Sequence, residues 1–179
     1  MAVENEVKFQ IKGSSLDEIK KKILFLGFSF VQKKNQKDYY FSPAHKSFAG
    51  TKKYYLRLRQ EKKQNEFAYH IVRNNLQTEE LEVYVDNGSN FFKILKLLDF
   101  RIDCVVKKER LAYRKGRINI MVDKIQGLGT FVEIESIGNF TRDIKERFNE
   151  LINYFQLKSE NKISGVGYPD LLMQKRNNS

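Results

Sequence analysis

Charged and apolar side chains alternate along several short segments of this chain, and this alternation restricts the fold more than any other sequence feature. The segment Val3–Lys12 places Glu4, Glu6 and Lys8 two residues apart, with apolar residues around them. Because a β-strand sends alternate side chains to opposite faces, the segment predicts a strand with one apolar and one charged face. On a single strand the charged face would meet solvent, but here the same pattern recurs on most of the other predicted strands.

The remaining strands and helices follow from similar patterns. Two stretches before Pro43 predict a strand or extended link (Phe28–Lys34) and a strand (Asp38–Phe41). Alternation predicts six more strands, at Tyr54–Gln60, Phe67–Arg73, Glu80–Val85, Cys104–Tyr113, Ile118–Lys124 and Thr130–Ser136. Helices are predicted after the capping box of Ser15 and Glu18, from Gly88, after Thr141 and near Tyr168.

The predicted fold class is therefore α+β, an eight-stranded antiparallel β-barrel with helices packed on its outside. The apolar strand faces would pack under the helices, and the charged faces would point into the barrel. We expect one domain over residues 1–179, with the tail, about 157–179, packing near one end of the barrel.

Composition narrows the function without fixing it. The chain has no apolar run long enough for a membrane helix, its acidic and periodic start is unlike a signal peptide, and its single cysteine allows no internal disulfide, which favours the cytoplasm. The net charge of +11 leaves three interpretations open: a solvated basic surface, a nucleic-acid-binding surface, or a pocket for a polyanion.

The positions of the charges favour the pocket. Two carboxylates two residues apart on a strand lie about 7 Å apart and repel by roughly 2 kcal/mol. Several such pairs facing one lumen need cations, either Arg and Lys or a hard divalent ion such as Mg²⁺ or Mn²⁺. The acids on the charged faces are Glu4, Glu6, Glu80, Glu82, Asp123, Glu133 and Glu135, and the bases are Lys8, Arg57, Arg59, Arg73, Lys108 and Arg110. Bases left unpaired would suit a phosphate chain.

The same residues resemble a known family. Glu4-Asn5-Glu6-Val7-Lys8 matches the E-x-E-x-K signature of the CYTH superfamily, the triphosphate tunnel metalloenzymes. The rest is similar to the class IV adenylyl cyclase branch through Leu56-Arg57-Leu58-Arg59, Lys108-x-Arg110, Asp123, Gly127-Leu128-Gly129-x-Phe131-x-Glu133-x-Glu135 and Tyr168-x-Asp170-Leu171-Leu172. One departure is Arg73-Asn74-Asn75, where the family often has Lys-Gly-Pro.

The resemblance implies a tunnel that binds a triphosphate together with Mg²⁺ or Mn²⁺. It implies metal ligands at Glu4, Glu6, Asp123, Glu133 and Glu135. It implies phosphate-binding bases at Lys8, Arg57, Arg59, Arg73, Lys108 and Arg110, of which Lys8, Arg59, Lys108 and Arg110 would act in catalysis. Glu80 and Glu82 share the charged face and are expected to lie at the substrate. A homodimer is a further expectation from the resemblance.

Three functions remain open from the sequence. The first is a cyclase that converts ATP into cyclic AMP and pyrophosphate. The second is a triphosphatase for inorganic or thiamine triphosphate, in which Lys8, with a lowered pKa, helps to deprotonate the attacking water. The third is a non-catalytic module that binds polyphosphate or RNA, although such a module has no need for paired acids and nucleic acid is therefore the less favoured partner. His45, His70 and Cys104 are expected to have no catalytic role.

Overall fold

Nine β-strands and four α-helices make up the part of the chain that the computed structural model describes, which is residues 2–13, 15–44, 54–74, 76–164 and 166–178. The strands are β1 Ala2–Gln10, β2 Ser29–Pro43, β3 Tyr54–Gln60, β4 Asn65–Val72, β5 Gln77–Val85, β6 Phe100–Lys115, β7 Ile118–Ile125, β8 Gly129–Ile137 and β9 Lys162–Ile163. The helices are α1 Leu16–Phe25, α2 Gly88–Leu97, α3 Arg142–Tyr154 and α4 Tyr168–Asn177.

The eight long strands form a closed antiparallel ring, which confirms the predicted fold class. The strand order is β5-β4-β3-β2-β6-β7-β8-β1-β9, and β1 also pairs with β5. That last pairing joins the two ends of the sheet through Ala2–Asn5 and Gln77–Glu80, while β9 covers the same edge of β1 further along, at Lys8 and Phe9.

Three helices cover the apolar outer faces of the ring. Helices α1 and α3 pack over β1 and β6–β8 around Ile23, Phe148 and Ile134, and α2 packs over β2 and β3 around Leu95 and Leu58. The capping box that starts α1 is present, with Ser15 and Glu18 bonded to each other's backbone amides. No helix in the described part of the chain is both long enough and apolar enough to span a bilayer.

Helix α4 packs differently, against residues of the inner faces. Tyr168 and Leu172 lie with Tyr40, Tyr55 and Phe131, whose side chains point into the ring. The helix begins directly after Gly167, whose amide N–H donates to Asp170 at 2.7 Å.

Some predicted boundaries differ from the structure. The two pieces predicted before Pro43 form a single strand, because β6 pairs with β2 over nearly its whole length and carries it across the polar Asn35–Lys37. Strand β6 is longer than predicted for the same reason. Thr141 occupies the N-cap position of α3, but its side chain makes no capping hydrogen bond. His45 lies outside the described residues.

Candidate active site

A cavity of about 180 Å³ opens inside the ring, and it is lined mainly by the charged strand faces. Eleven of the thirteen predicted site residues line it: Glu4, Glu6, Lys8, Arg57, Arg59, Glu80, Glu82, Lys108, Arg110, Glu133 and Glu135. The volume is smaller than the roughly 300–1,000 Å³ of pockets that enclose a drug-sized ligand. It therefore suits a compact anion or one part of a larger molecule.

Four of the five described Lys and Arg residues that line this cavity lie opposite most of the acids, and the fifth, Lys8, lies on β1 among the acids. We call Arg57 and Arg59 on β3 with Lys108 and Arg110 on β6 the basic wall. We call Glu4, Glu6, Glu80, Glu82 and Glu135 the acidic wall; these residues lie on β1, β5 and β8. In the ring, β8-β1-β5 and β3-β2-β6 are separated by β7 on one side and β4 on the other, so the two walls face each other.

Carboxylates behind the basic wall hold its arginines in place. Arg59 donates two hydrogen bonds to Asp38, at 2.8 and 2.9 Å. Arg110 donates in the same bidentate way to Asp123, at 2.7 and 2.6 Å. Burial opposes ionisation of Asp38, but Arg59 and Lys108 outweigh it and hold the pKa of that carboxyl well below its usual range. The arginine planes are therefore fixed before any ligand arrives.

Lys108 is the member of the basic wall whose pKa is lowered, whereas the pKa values of the three arginines are raised. Its Nζ lies 3.6 Å from Asp123 and 3.9 Å from Asp38, beyond ordinary hydrogen-bond distance. Burial, reinforced by the charges of Arg110 and Arg59, lowers the pKa of Lys108 to about 8.

The pKa of Lys8 is raised, not lowered as the sequence predicted. The lysine of the cavity with a lowered pKa is Lys108. The Nζ of Lys8 lies 3.0 Å from Glu133 and 3.6 Å from Glu6. Burial disfavours the charged amine, but the two carboxylates outweigh burial and raise the pKa of Lys8 above its ordinary value. Lys8 therefore remains protonated at neutral pH.

The acidic wall holds carboxylates that repel one another. Burial raises the pKa of Glu4 to about 9, and the neighbours that add to this shift are the carboxylates of Glu135, Glu80 and Glu6. Burial likewise raises the pKa values of Glu6 and Glu135. A cation at this wall would relieve the repulsion.

The carboxylates of the acidic wall are suitable ligands for a divalent metal ion. Carboxylate oxygens are the ligands that Mg²⁺ and Mn²⁺ prefer, and Glu4, Glu6 and Glu135 have raised pKa values that a bound ion would lower. Among the described residues no three such side chains already stand close enough together to coordinate an ion, so binding requires the three to converge. Glu133 is a weaker donor, because Arg110 at 2.5 Å and Lys8 at 3.0 Å occupy its two oxygens.

Two predicted site residues do not line the cavity. Arg73 follows the end of β4, is half-exposed, and pairs with Glu79 at 2.7 Å on the outside of the ring. Asp123 is fully buried behind Arg110, which takes up both of its oxygens.

The site also contains residues that were not among the thirteen predicted site residues. Asp38 and Glu66 support the basic wall, and His70 lines the cavity with its Nδ1 bonded to Glu80. The Nζ of Lys8 lies over the aromatic ring of Tyr168, 4.4 Å from the centroid of that side chain. Alternation alone could have found Glu66 and His70, because they share a strand face with Ala68, which pairs with Arg57.

Comparison with known proteins gives one consistent relationship. A family model described as the CYTH domain matches residues 2–166. The Methanocaldococcus jannaschii protein named "Putative adenylate cyclase MJ0240" is 31% identical over 165 residues, which cover 89% of this chain and 91% of that protein. The solved structure of PH1012 from Pyrococcus horikoshii OT3 is 26% identical, with a TM-score of 0.81 over 94% of this chain and 98% of that one.

A more distant structure shares the fold. HpAC1 of Hippeastrum, named an adenylyl cyclase candidate and described as having a dominant triphosphatase activity, has a TM-score of 0.69 at 16% identity. The aligned parts cover 98% of this chain and 96% of that one.

Proposed function

The chain belongs to the CYTH family, and on that premise we propose that it is a metal-dependent enzyme that cleaves a triphosphate held between the acidic and basic walls. The observation that carries this proposal is the separation of charge within one small cavity. Phosphate oxygens would lie against Arg57, Arg59, Lys108 and Arg110. When bound at the acidic wall, Mg²⁺ or Mn²⁺ would supply charge neutralisation and polarise phosphoryl oxygens.

The reaction that we propose first is the conversion of ATP into cyclic AMP and pyrophosphate. Support comes from the name of the Methanocaldococcus jannaschii relative, which is 31% identical. The ribose 3′-oxygen would form a bond to the α-phosphorus, the bond from that phosphorus to the bridging oxygen would break, and the 3′-hydroxyl proton would pass to solvent. Arg59 and Arg110, fixed by Asp38 and Asp123, would stabilise the negative charge that develops on the leaving pyrophosphate.

Hydrolysis of a triphosphate is the second candidate, and the state of Lys108 favours it. With a pKa of about 8, Lys108 is partly neutral near neutral pH, and its amine could accept a proton from a water that attacks the terminal phosphorus. Lys8 is unsuited to that task because its pKa is raised. Orthophosphate would then be the product.

Product analysis with a substrate panel tests the proposal. The protein is incubated with ATP, GTP, thiamine triphosphate and tripolyphosphate, each with Mg²⁺, with Mn²⁺ or with EDTA, and the products are separated by chromatography. We expect metal-dependent turnover of at least one substrate. Cyclic AMP with pyrophosphate identifies a cyclase, and orthophosphate identifies a triphosphatase. Binding of RNA without turnover of any triphosphate would contradict the proposed function.

A further inference from the structure

Two buried nitrogen atoms in the cavity wall have no hydrogen-bond partner among the residues that the structure describes. They are Nε2 of His70 on β4 and Nε of Arg57 on β3, and each side chain is more than nine-tenths buried. Both residues line the cavity. A buried polar atom without a partner costs free energy, so such atoms in a wall indicate a group that is still to be bound.

The two atoms have opposite hydrogen-bonding character. Nδ1 of His70 faces Glu80, and we assign the imidazole proton to that nitrogen because a carboxylate can only accept. Burial and the nearby charge of Arg57 lower the pKa of His70, so the ring stays neutral and its Nε2 is an acceptor. Nε of Arg57 always carries a hydrogen and is a donor, while Nη2 of the same side chain is held by Glu66 at 2.5 Å.

The strand register places the two residues diagonally across from each other on one face of β3 and β4. His70 pairs with Tyr55, and Arg57 follows two residues later on the same face of β3. Diagonal neighbours of this kind have Cα atoms roughly 7–8 Å apart, within reach of long side chains. The cavity lining therefore holds one donor, on Arg57 of the basic wall, and one acceptor on the neighbouring His70.

A hydroxyl group is the chemical match for this pair, because it donates one hydrogen bond and accepts another. A phosphate oxygen could accept from Arg57 but has no hydrogen for His70, and an ammonium group could serve only His70. We propose that His70 and Arg57 together recognise a hydroxyl that the substrate carries beside its phosphate chain. The inference rests on the proposed function and narrows its substrate class to nucleoside triphosphates, which carry such hydroxyls, rather than tripolyphosphate, which has none.

The test compares ligands that differ by one hydroxyl. Binding of ATP, 2′-deoxy-ATP, 3′-deoxy-ATP and tripolyphosphate is measured by calorimetry with Mg²⁺ present, for the wild type and for His70→Asn. Asparagine can still donate to Glu80 but has no group at the position of Nε2. We expect the wild type to bind ATP about tenfold more tightly than one of the two deoxy analogues, and we expect His70→Asn to lose that preference while its tripolyphosphate affinity is unchanged.

Two further variants keep the result interpretable. His70→Gln places an amide near Nε2 and gives up the bond to Glu80, so it should retain more of the hydroxyl preference than His70→Asn. Ile71→Val, on the outer face of the same strand, should behave as the wild type. If His70→Asn fails to fold, His70→Gln and the wild-type preference still decide the question.

Several outcomes would overturn the inference. Equal affinity of the wild type for ATP and both deoxy analogues would mean that the two nitrogens bind only an internal water. Equal weakening of every ligand in His70→Asn would mean that the histidine only supports Glu80. In both cases tripolyphosphate would still bind the wild type, whereas failure of the proposed function would appear as absence of metal-dependent binding of any triphosphate, and the inference would fall with it.

Discussion

Each arginine of the basic wall is held from behind by a carboxylate, which makes these pairs important for both folding and binding. Asp38 with Arg59 and Asp123 with Arg110 form bidentate pairs, and Glu66 contacts Arg57. Alternation in the sequence predicted that the arginines share a face. It did not predict their partners, because the pairing of Asp38 with Arg59 depends on the register between β2 and β3.

Replacing Asp38 by Asn should destabilise the protein by about 3 kcal/mol at neutral pH, because it leaves Arg59 charged and buried without its counter-ion. Asp38 has a lowered pKa in the folded state, so its contribution is present above its ordinary value of 3.8 and is lost as pH falls. The difference in unfolding free energy, measured by urea denaturation, should therefore shrink below pH 4.

The exposed pair of Arg142 and Glu146 on α3 provides the control for that measurement. Glu146→Gln should leave the denaturation midpoint unchanged, since surface pairs contribute little. An unfolding free energy of Asp38→Asn equal to that of the wild type would contradict the account.

Removing the charge of Lys108 should stabilise the fold but weaken ligand binding, in contrast to the loss of stability expected for Asp38→Asn. The Lys108 pKa of about 8 lies below the ordinary 10.5, so the charged amine destabilises the folded state below pH 8, and this effect fades as pH rises toward 10.5. Lys108→Met should stabilise the protein by roughly 1–3 kcal/mol at pH 7 while weakening tripolyphosphate binding at least tenfold. Denaturation and calorimetry on the same samples measure both effects, and a variant that is less stable or binds equally well would contradict this assignment.

At the scale of elements, α4 completes the cavity. The sequence predicted a short helix near Tyr168, but periodicity could not show that this helix packs against inward-facing side chains rather than on the outside. The continuous β2 was also missed, because its polar middle is stabilised by pairing with β6 and by no property of the segment itself.

Asp170 joins α4 to the ring, and its loss should loosen the cavity. Its carboxylate accepts from the hydroxyl of Tyr55 at 2.5 Å and from the amide of Gly167 at 2.7 Å. Asp170→Ala should cost about 1–3 kcal/mol of unfolding free energy and increase hydrogen exchange across α4, while the amides of β7 and β8 stay protected. Uniform loss of protection across all strands would show that α4 is not a separate unit.

At the scale of the whole molecule, closure of the strands into a ring brings the charged strand faces together around one cavity. The sequence predicted both the eight strands and the inward direction of the charges, and the structure confirms the ring. The placement of the acidic wall opposite the basic wall was not predictable from single strands, because it depends on the order β8-β1-β5 and β3-β2-β6 around the ring.

Divalent metal should stabilise the whole ring through the acidic wall. Mn²⁺ should raise the melting temperature of the wild type, because it relieves repulsion among Glu4, Glu6 and Glu135. The double variant Glu4→Gln with Glu6→Gln should melt at the same temperature with Mn²⁺ and with EDTA. An equal metal-induced shift in that variant would place the metal elsewhere.

Calorimetric binding of tripolyphosphate, with Mg²⁺ and with EDTA, tests the central claim most directly. We predict metal-dependent binding to the wild type and its loss in the variant Glu4→Gln with Glu6→Gln. We predict unchanged binding in the matched control Glu79→Gln, whose side chain pairs with Arg73 outside the cavity. Metal-dependent binding of equal strength in all three proteins would contradict the account, because the acidic wall would then have no part in holding the metal and its triphosphate.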